Sequence, residues 1–139
     1  MSAAKWVDIP GYVGYYQVSN VGQVKSLDRV VDFYNRHNKT FVPRLRKGTL
    51  LKPSTAPNGY LIVTLQKEGV KKWKTVHRLV AETFIDNVYN LPQINHIDCI
   101  KVNNHYKNLE WCTPSQNLLH AHRHNLIPRH NQFTKKKNG

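Results

Sequence analysis

The sequence predicts an α+β fold: an antiparallel β-rich N-terminal half followed by a smaller unit of two strands and helices. Three observations carry this expectation. From Trp6 to Gln66, short aromatic and β-branched runs alternate with turn signals. At His77 the apolar spacing lengthens to a helical period. After Pro92, two short strand candidates bracket an Asn-rich loop and lead into a Thr-Pro helix start.

Taken in order, Tyr15-Tyr16-Gln17-Val18-Ser19, the turn Asn20-Val21-Gly22 and the alternating Gln23-Val24-Lys25-Ser26-Leu27 predict a β-hairpin. Phe41 to Lys52 alternates apolar residues with Arg44, Arg46, Lys47 and Lys52, as in a half-buried strand pair with a basic outer face. Pro57-Asn58-Gly59 is a turn, Tyr60 to Leu65 a strand, and Trp73-Lys74-Thr75-Val76 its partner after Glu68-Gly69. A helix over His77 to Phe84 aligns Leu79, Val80 and Phe84 on one face. Gln93 to His96 and Leu109 to Cys112 are the later strands, with Asp98 to Lys107 looping between them. Thr113 is placed as N-cap and Pro114 at the first helical position, where its missing N–H costs nothing. The helix runs over Ser115 to Asn125 with Leu118 and Ala121 inward, and Pro128 stops it. These elements divide the chain into a β-rich module (1–70), a mixed module (71–125) and a basic tail (126–139).

The chain has 139 residues, with 21 Lys and Arg against 8 Asp and Glu, a formal charge of +13. Such an excess points to a polyanionic partner, nucleic acid before membrane. No apolar run nears the roughly 18 residues of a spanning helix, and Met1 to Trp6 has no apolar core of a signal peptide. Two cysteines, Cys99 and Cys112, make no disulfide scaffold, which favours a reducing, cytoplasmic setting. Secreted and membrane classes are excluded on this reading.

The stretch from Asn95 to Asn117 carries the chemistry. Hydrolysis of a phosphodiester needs a base to deprotonate water, and an imidazole with an ordinary pKa of about 6.5 suits that task. It also needs a cation on the phosphate and leaving oxygen, held by oxygen ligands in the way Mg²⁺ prefers. Asn95 and His96 are adjacent in a strand, so they point to opposite faces unless the strand ends or twists there. A metal between hairpin and helix would then use the Asn95 and Asn117 side-chain oxygens, with His96 beside it.

The residues Gln93-Ile94-Asn95-His96-Ile97-Asp98, Asn103-Asn104, Lys107 to Thr113 and Gln116-Asn117 resemble an HNH nuclease of the ββα-metal (His-Me finger) class. The branch is that of phage and intron homing endonucleases, and Thr75 to Phe84 matches it too. Upstream, Trp6 to Tyr12, Tyr15 to Gly22 and Val24-Lys25-Ser26 are similar to the nuclease-associated modular DNA-binding motif of the fourth type. The resemblance implies a metal-dependent endonuclease acting on double-stranded DNA with Mg²⁺ or Mn²⁺, monomeric, in the cytoplasm of a bacterial host. It implies His96 as general base and Asn108 as the residue that ties the loop and holds the base. It implies Asn95 and Asn117 as metal ligands, a site poor in charge. Cys99 stands where relatives usually carry Gly, so the loop is expected to bend differently.

Blander readings stand beside these. The runner-up is a non-catalytic DNA-binding protein that keeps the frame for structure, and a third reading, from Cys99 and Cys112 near histidines but without a C-x-x-C pair, is a zinc-dependent nucleic-acid adaptor. His77 reads as structural, satisfying loop carbonyls. His120, one turn after Asn117, is either an extra ligand or phosphate contact or a partly exposed polar residue. His122, His124 and His130 read as solvated surface. Asp98 is read as a loop cap, Cys112 as core, and Trp6, Tyr12, Trp73 and Trp111 as core. Arg44, Arg46, Lys47, Lys52, Lys72, Lys74 and Arg78 are expected to face DNA, mostly at phosphates, with Arg44 or Arg46 within reach of base edges.

Overall fold

The computed structural model describes residues 4–123. Pro128, His124, His130 and the basic tail lie outside the described residues, as does the side chain of His122. The chain opens with an antiparallel meander of β1 (Trp6–Asp8), β2 (Tyr16–Ser19) and β3 (Val24–Ser26). Val18 lies opposite Val24, both buried, so the alternation read from sequence faces the core. The intervening turn is held by the buried Ser19 hydroxyl, which accepts from the Val21 and Gln23 amides at 3.3 and 3.0 Å. Gly22 supplies the positive φ of 92° that this turn needs.

The next hairpin departs from expectation. β4 (Arg29–Asn35) pairs with β5 (Thr40–Arg46), so the Phe41–Lys52 segment does not form a strand pair of its own. Beyond Arg46 it runs along β3 instead, with Leu50 bridging Lys25. β4 escapes sequence reading because both faces of this ribbon meet solvent. One face carries Val30, Tyr34, Phe41 and Leu45, each more than half exposed, and the other carries Arg29, Arg44 and Arg46. Without a buried face, alternation loses its meaning as a signal.

A second meander comprises β6 (Ser54–Thr55), β7 (Leu61–Lys67) and β8 (Val70–Thr75). Val63 and Leu65 bury one face of β7. Trp73 sits opposite Thr64 on the other face and is 78% exposed, which corrects its reading as core. β8 runs directly into α1 (Val76–Phe84), whose Val76, Leu79, Val80 and Ala81 are buried. α1 touches β2, β7 and β8 on one side and the strand pair β9 (Gln93–His96) and β10 (Leu109–Cys112) on the other. The core is therefore continuous: Ile9, Val18 and Val24 from the first meander share it with Val63, Leu65, Val80, Ile94 and Leu109. Each such side chain contributes about 1.5–3 kcal/mol on burial. No described helix is long and apolar enough to cross a membrane.

α2 (Pro114–Arg123) follows β10. Its start is a reciprocal cap: the Gln116 amide donates to Thr113 Oγ1 at 3.2 Å, and the Thr113 amide donates to Gln116 Oε1 at 2.9 Å. Ala121 is half-buried, whereas Leu118 is 51% exposed at the rim of a cleft rather than inward.

The two halves also touch at a glycine. A Cβ on Gly22 would come within 2.8 Å of the Asn104 Cβ and 3.0 Å of its carbonyl oxygen, whereas one on Gly11, also at positive φ, would meet nothing. Gly22→Ala is therefore expected to cost about 1–3 kcal/mol more than Gly11→Ala, the overpacking term added to a shared backbone strain. Urea midpoints of the two variants compare the costs directly; equal losses would mean that the contact is not close.

Candidate active site

Alternation in β9 puts Gln93 and Asn95 on one face, opposite Cys112 and Glu110 of β10. Directly opposed side chains touch, and Asn95 Nδ2 donates to Glu110 Oε1 at 3.0 Å. A carboxylate only accepts, so the Asn95 amide must turn its nitrogen toward Glu110. α2 crosses the same face, where Asn117 Nδ2 donates to Gln93 Oε1 at 3.1 Å. Both asparagines thus have their amide nitrogens occupied, while neither Oδ1 has a hydrogen-bond partner among the described residues. β9 ends at His96, which settles the question of opposite faces. Asn95, His96 and Asn117 line one cleft of about 800 Å³, together with Cys99, Lys101 and His120.

The loop after His96 is locked by carboxylate and amide. Asp98 accepts from the Ile100 amide at 2.8 Å, from Asn103 Nδ2 at 2.7 Å and from Asn108 Nδ2 at 2.8 Å. These bonds hold its carboxyl below the ordinary range, the Asn103 contact first. Asn108 also accepts from the Asp98 amide at 3.0 Å and donates to the Asn103 carbonyl at 2.9 Å. Asp98 is the loop cap that its sequence suggests, and Asn108 ties the loop. The side chain that bonds His96, however, is Asn104, which sequence reading left without a role. Cys99 does not force a different bend, because it adopts the positive φ itself, at 64°. Its amide donates to the His96 carbonyl at 2.9 Å, and its Sγ lies 3.3 Å from His120 Nε2. Cys112 is buried in the strand pair, and burial raises its thiol pKa, with Glu110 adding to the effect.

Asn104 Oδ1 lies 2.8 Å from His96 Nε2. An amide oxygen only accepts, so Nε2 carries the proton and Nδ1 is the basic nitrogen. The Asn104 Nδ2 is buried and has no partner among the described residues. Burial pushes His96 below the ordinary histidine range, and Lys101 pushes the same way. The Asn104 bond and the Asp98 charge pull it back. Two rings flank the imidazole. Tyr60 stacks on it with centroids 5.7 Å apart and planes 27° apart, and His77 meets it edge-on at 5.1 Å. His77 Nδ1 is buried with no hydrogen-bond partner among the described residues, so within them this residue does not satisfy loop carbonyls through that atom as its sequence position suggested. Burial, His96 and Arg78 lower its pKa to about 4.

Tyr60, Asn104, Glu110, Gln93 and Lys101 are the residues sequence reading missed. Only Glu110, directly across from Asn95 once the strands pair in register, had a local signal. Among the described residues no three His, Cys, Asp or Glu side chains gather as a metal site. The basic candidates are dispersed. Arg44 and Arg46 share a face of the β4–β5 ribbon, Arg44 over the Phe33 ring at 5.5 Å. Lys72 and Lys74 share a face of β8, and Lys47 and Lys52 are exposed. Arg78 is engaged structurally, donating to the Pro92 carbonyl at 3.0 Å and pairing with Glu82 at 3.4 Å.

Residues 5–66 match the NUMOD4 motif, and residues 74–119 match the HNH endonuclease family. The chain thus carries a segment similar to HNH endonucleases behind a NUMOD4 segment. It is 51% identical over 75 residues to an uncharacterized HNH endonuclease of Acanthamoeba polyphaga mimivirus, covering 54% of this chain and 23% of that protein. It is 35% identical over 114 residues to DNA endonuclease I-HmuI of Bacillus phage SP01, covering 82% of this chain and 55% of that one. The solved structure of DNA binding and cleavage by the HNH homing endonuclease I-HmuI matches with a TM-score of 0.70 and 31% identity, over 91% of this chain and 63% of that one. The chain therefore spans between about a quarter and somewhat over half of the length of these curated relatives. His96, Asn104, Asn108 and Asn117 fall in the HNH match, whereas Tyr60 falls in the NUMOD4 match.

The low pKa of His77 has a consequence for stability. Unfolded, the ring titrates at about 6.5; folded, at about 4. Between those values the unfolded chain binds more protons, so stability is lost as pH falls from 6.5 toward 4. His77→Phe keeps a ring and removes the titration. It is expected to flatten the pH dependence of the urea midpoint by up to about 2 kcal/mol, allowing for solvent screening of a partly exposed ring. Parallel pH profiles for the two proteins would contradict the assignment.

Proposed function

We propose that this chain is a metal-dependent endonuclease that hydrolyses phosphodiester bonds in double-stranded DNA, by nicking or double-strand cleavage, as a monomeric phage or intron homing endonuclease acting in the cytoplasm of a bacterial host. One observation carries the reading. His96, in the lining of the cleft, is held through Nε2 by Asn104, which leaves Nδ1 basic, and the same cleft is lined by Asn95 and Asn117, whose amide oxygens have no hydrogen-bond partner among the described residues. In support, the HNH match covers all four of these residues.

The donor set fits a hard divalent cation. Two amide oxygens whose nitrogens are already engaged suit Mg²⁺ or Mn²⁺, with phosphate oxygens and water completing the shell. Asn95 and Asn117 would hold the ion, and Glu110 and Gln93 would keep their oxygens turned outward. Bound there, a divalent ion supplies charge stabilisation to the phosphate and the departing oxygen. His96 Nδ1 takes a proton from the attacking water as its oxygen bonds to phosphorus. The bond to the 3′ oxygen breaks, and that oxygen takes a proton from solvent, leaving 5′-phosphate and 3′-hydroxyl ends. Burial favours the neutral imidazole that this step requires. Asp98 and Asn108 shape the loop that presents Asn104 to the ring. On this reading, 1–70 is the DNA-binding module, 71–125 the nuclease module and 126–139 a basic tail. The β4–β5 ribbon would lie on DNA through Arg44 and Arg46, with Lys47, Lys52, Lys72, Lys74 and Arg78 as further phosphate contacts.

His96→Ala is expected to lower the rate of Mg²⁺-dependent plasmid nicking by about 10²–10⁴-fold, and EDTA to abolish nicking by the unsubstituted chain. A His96→Ala protein that nicks at the unsubstituted rate would overturn the mechanism, and salt-sensitive DNA binding without cleavage under any divalent ion would point to a non-catalytic binder. Arg44→Ala and Arg46→Ala should each weaken DNA binding across sequences and reduce the slope of log affinity against log salt by about 1. A slope unchanged by both substitutions would remove the ribbon from the interface.

A further inference from the structure

Two turns of the N-terminal motif reach the loop that follows His96. At the first, the Asn20 carbonyl accepts from the Tyr106 amide at 2.9 Å, and Gly22 leaves room for Asn104. The second is built by Ala56 to Tyr60. Its ends are closed by the Ala56 amide donating to the Tyr60 carbonyl at 2.8 Å and the Gly59 amide donating to the Ala56 carbonyl at 2.8 Å. Asn58 Oδ1 accepts from the Tyr60 amide at 3.2 Å, which fixes the residue that leaves the turn. Lys101 grips this turn: its Nζ donates to the Asn58 carbonyl at 2.8 Å and lies 5.0 Å from the centre of the Tyr60 ring. Gly59, at φ 90°, leaves space that the Lys101 stem fills, since a Cβ there would come within 3.2 Å of its Cδ. Tyr60 is thereby aimed at His96, with its ring nearly parallel to the imidazole.

We propose that Tyr60 is a positioning residue for His96, so that the NUMOD4 motif, besides any contact with DNA, supplies a wall of the active site. The proposal rests on the endonuclease reading above. Asn104 fixes one nitrogen of the imidazole but leaves the ring free to pivot about that bond. A stacked aromatic face on one side and the His77 edge on another remove that freedom. The imidazole with its basic Nδ1 is then held in one orientation, the condition under which a general base acts without first searching for it. The contact requires a ring face and not a hydroxyl, which separates it from a proton-relay role for the tyrosine.

The test uses the full chain in three variants. Tyr60→Leu removes the ring, Tyr60→Phe keeps it, and Gly59→Ala keeps Tyr60 but displaces its turn. Single-turnover cleavage at saturating Mg²⁺ and DNA is expected to slow about 10-fold or more in Tyr60→Leu with DNA affinity unchanged. Tyr60→Phe should cleave at close to the unsubstituted rate, and Gly59→Ala should fall between. The His96 ring-proton NMR resonances should move when the stacked ring is lost in Tyr60→Leu and stay in place in Tyr60→Phe. Tyr60→Leu cleaving at the full rate, or Tyr60→Phe as impaired as Tyr60→Leu, overturns the proposal. If Tyr60→Leu fails to fold, the Gly59→Ala rate and resonances decide in the same way. An unsubstituted chain that does not cleave sinks the endonuclease reading instead, and the resonance shifts still report whether Tyr60 holds the imidazole.

Discussion

The hydrogen bond between Asn104 and His96 Nε2 is the contact on which the rest of the site depends. It selects the tautomer, and with it the nitrogen that is basic. A single bond to a loop residue would be a weak anchor unless the loop were rigid. Rigidity comes from Asp98, whose carboxylate gathers the Ile100 amide, Asn103 and Asn108 into one knot. The knot explains why Asn108, far from a spectator, reaches the imidazole only through the shape it imposes on Asn103 and Asn104. Charge-assisted bonds of this kind are stronger than neutral ones, and a depressed carboxyl pKa is their signature here.

A second constraint is that the core does not stop at the boundary between the two motifs. α1 packs on β2 and β7 to one side and on β9 and β10 to the other, so Val80 and Leu79 are shared by both halves. The loop after His96 is clasped by turns from the N-terminal half at Asn20–Gly22 and at Ala56–Tyr60. On the endonuclease reading, a centre built this way is coupled mechanically to the motif that precedes it. If the N-terminal half is held on DNA as proposed, the same contact holds a wall of the cleft, and the endonuclease reading gains a physical reason for the two motifs to share one core.

What could be read from residues alone was the part governed by short-range rules. The β9–β10 pair, the Thr113-Pro114 helix start and the helix through Leu79 and Val80 each rest on spacing within a few residues, and the structure has them within a residue or so. The α+β class and the position of His96, Asn95 and Asn117 around one cleft followed from those elements. The ribbon strand over Arg29–Asn35 was illegible because neither of its faces is buried, and Trp73 was misplaced because an aromatic on a one-sided sheet has an outer face available. Cys99 shows the limit of a propensity rule: a non-glycine at positive φ is disfavoured, and a loop knotted on both sides imposes it anyway. Tyr60, Lys101 and Asn104 were missed for a different reason. Their contacts join segments distant in sequence, and no periodicity encodes which turn will lie against which loop.

Under the proposed function, the amide oxygens of Asn95 and Asn117 hold one divalent ion with the His96 imidazole beside it. The most direct test is a Mn²⁺ titration followed by NMR on the side-chain amide resonances of Asn95 and Asn117 and the ring resonances of His96. Paramagnetic broadening should strike all three at substoichiometric Mn²⁺, before other side chains, and Mg²⁺ should compete it away. Sharp Asn95 and Asn117 resonances at saturating Mn²⁺, with broadening confined to other parts of the chain, would contradict the account.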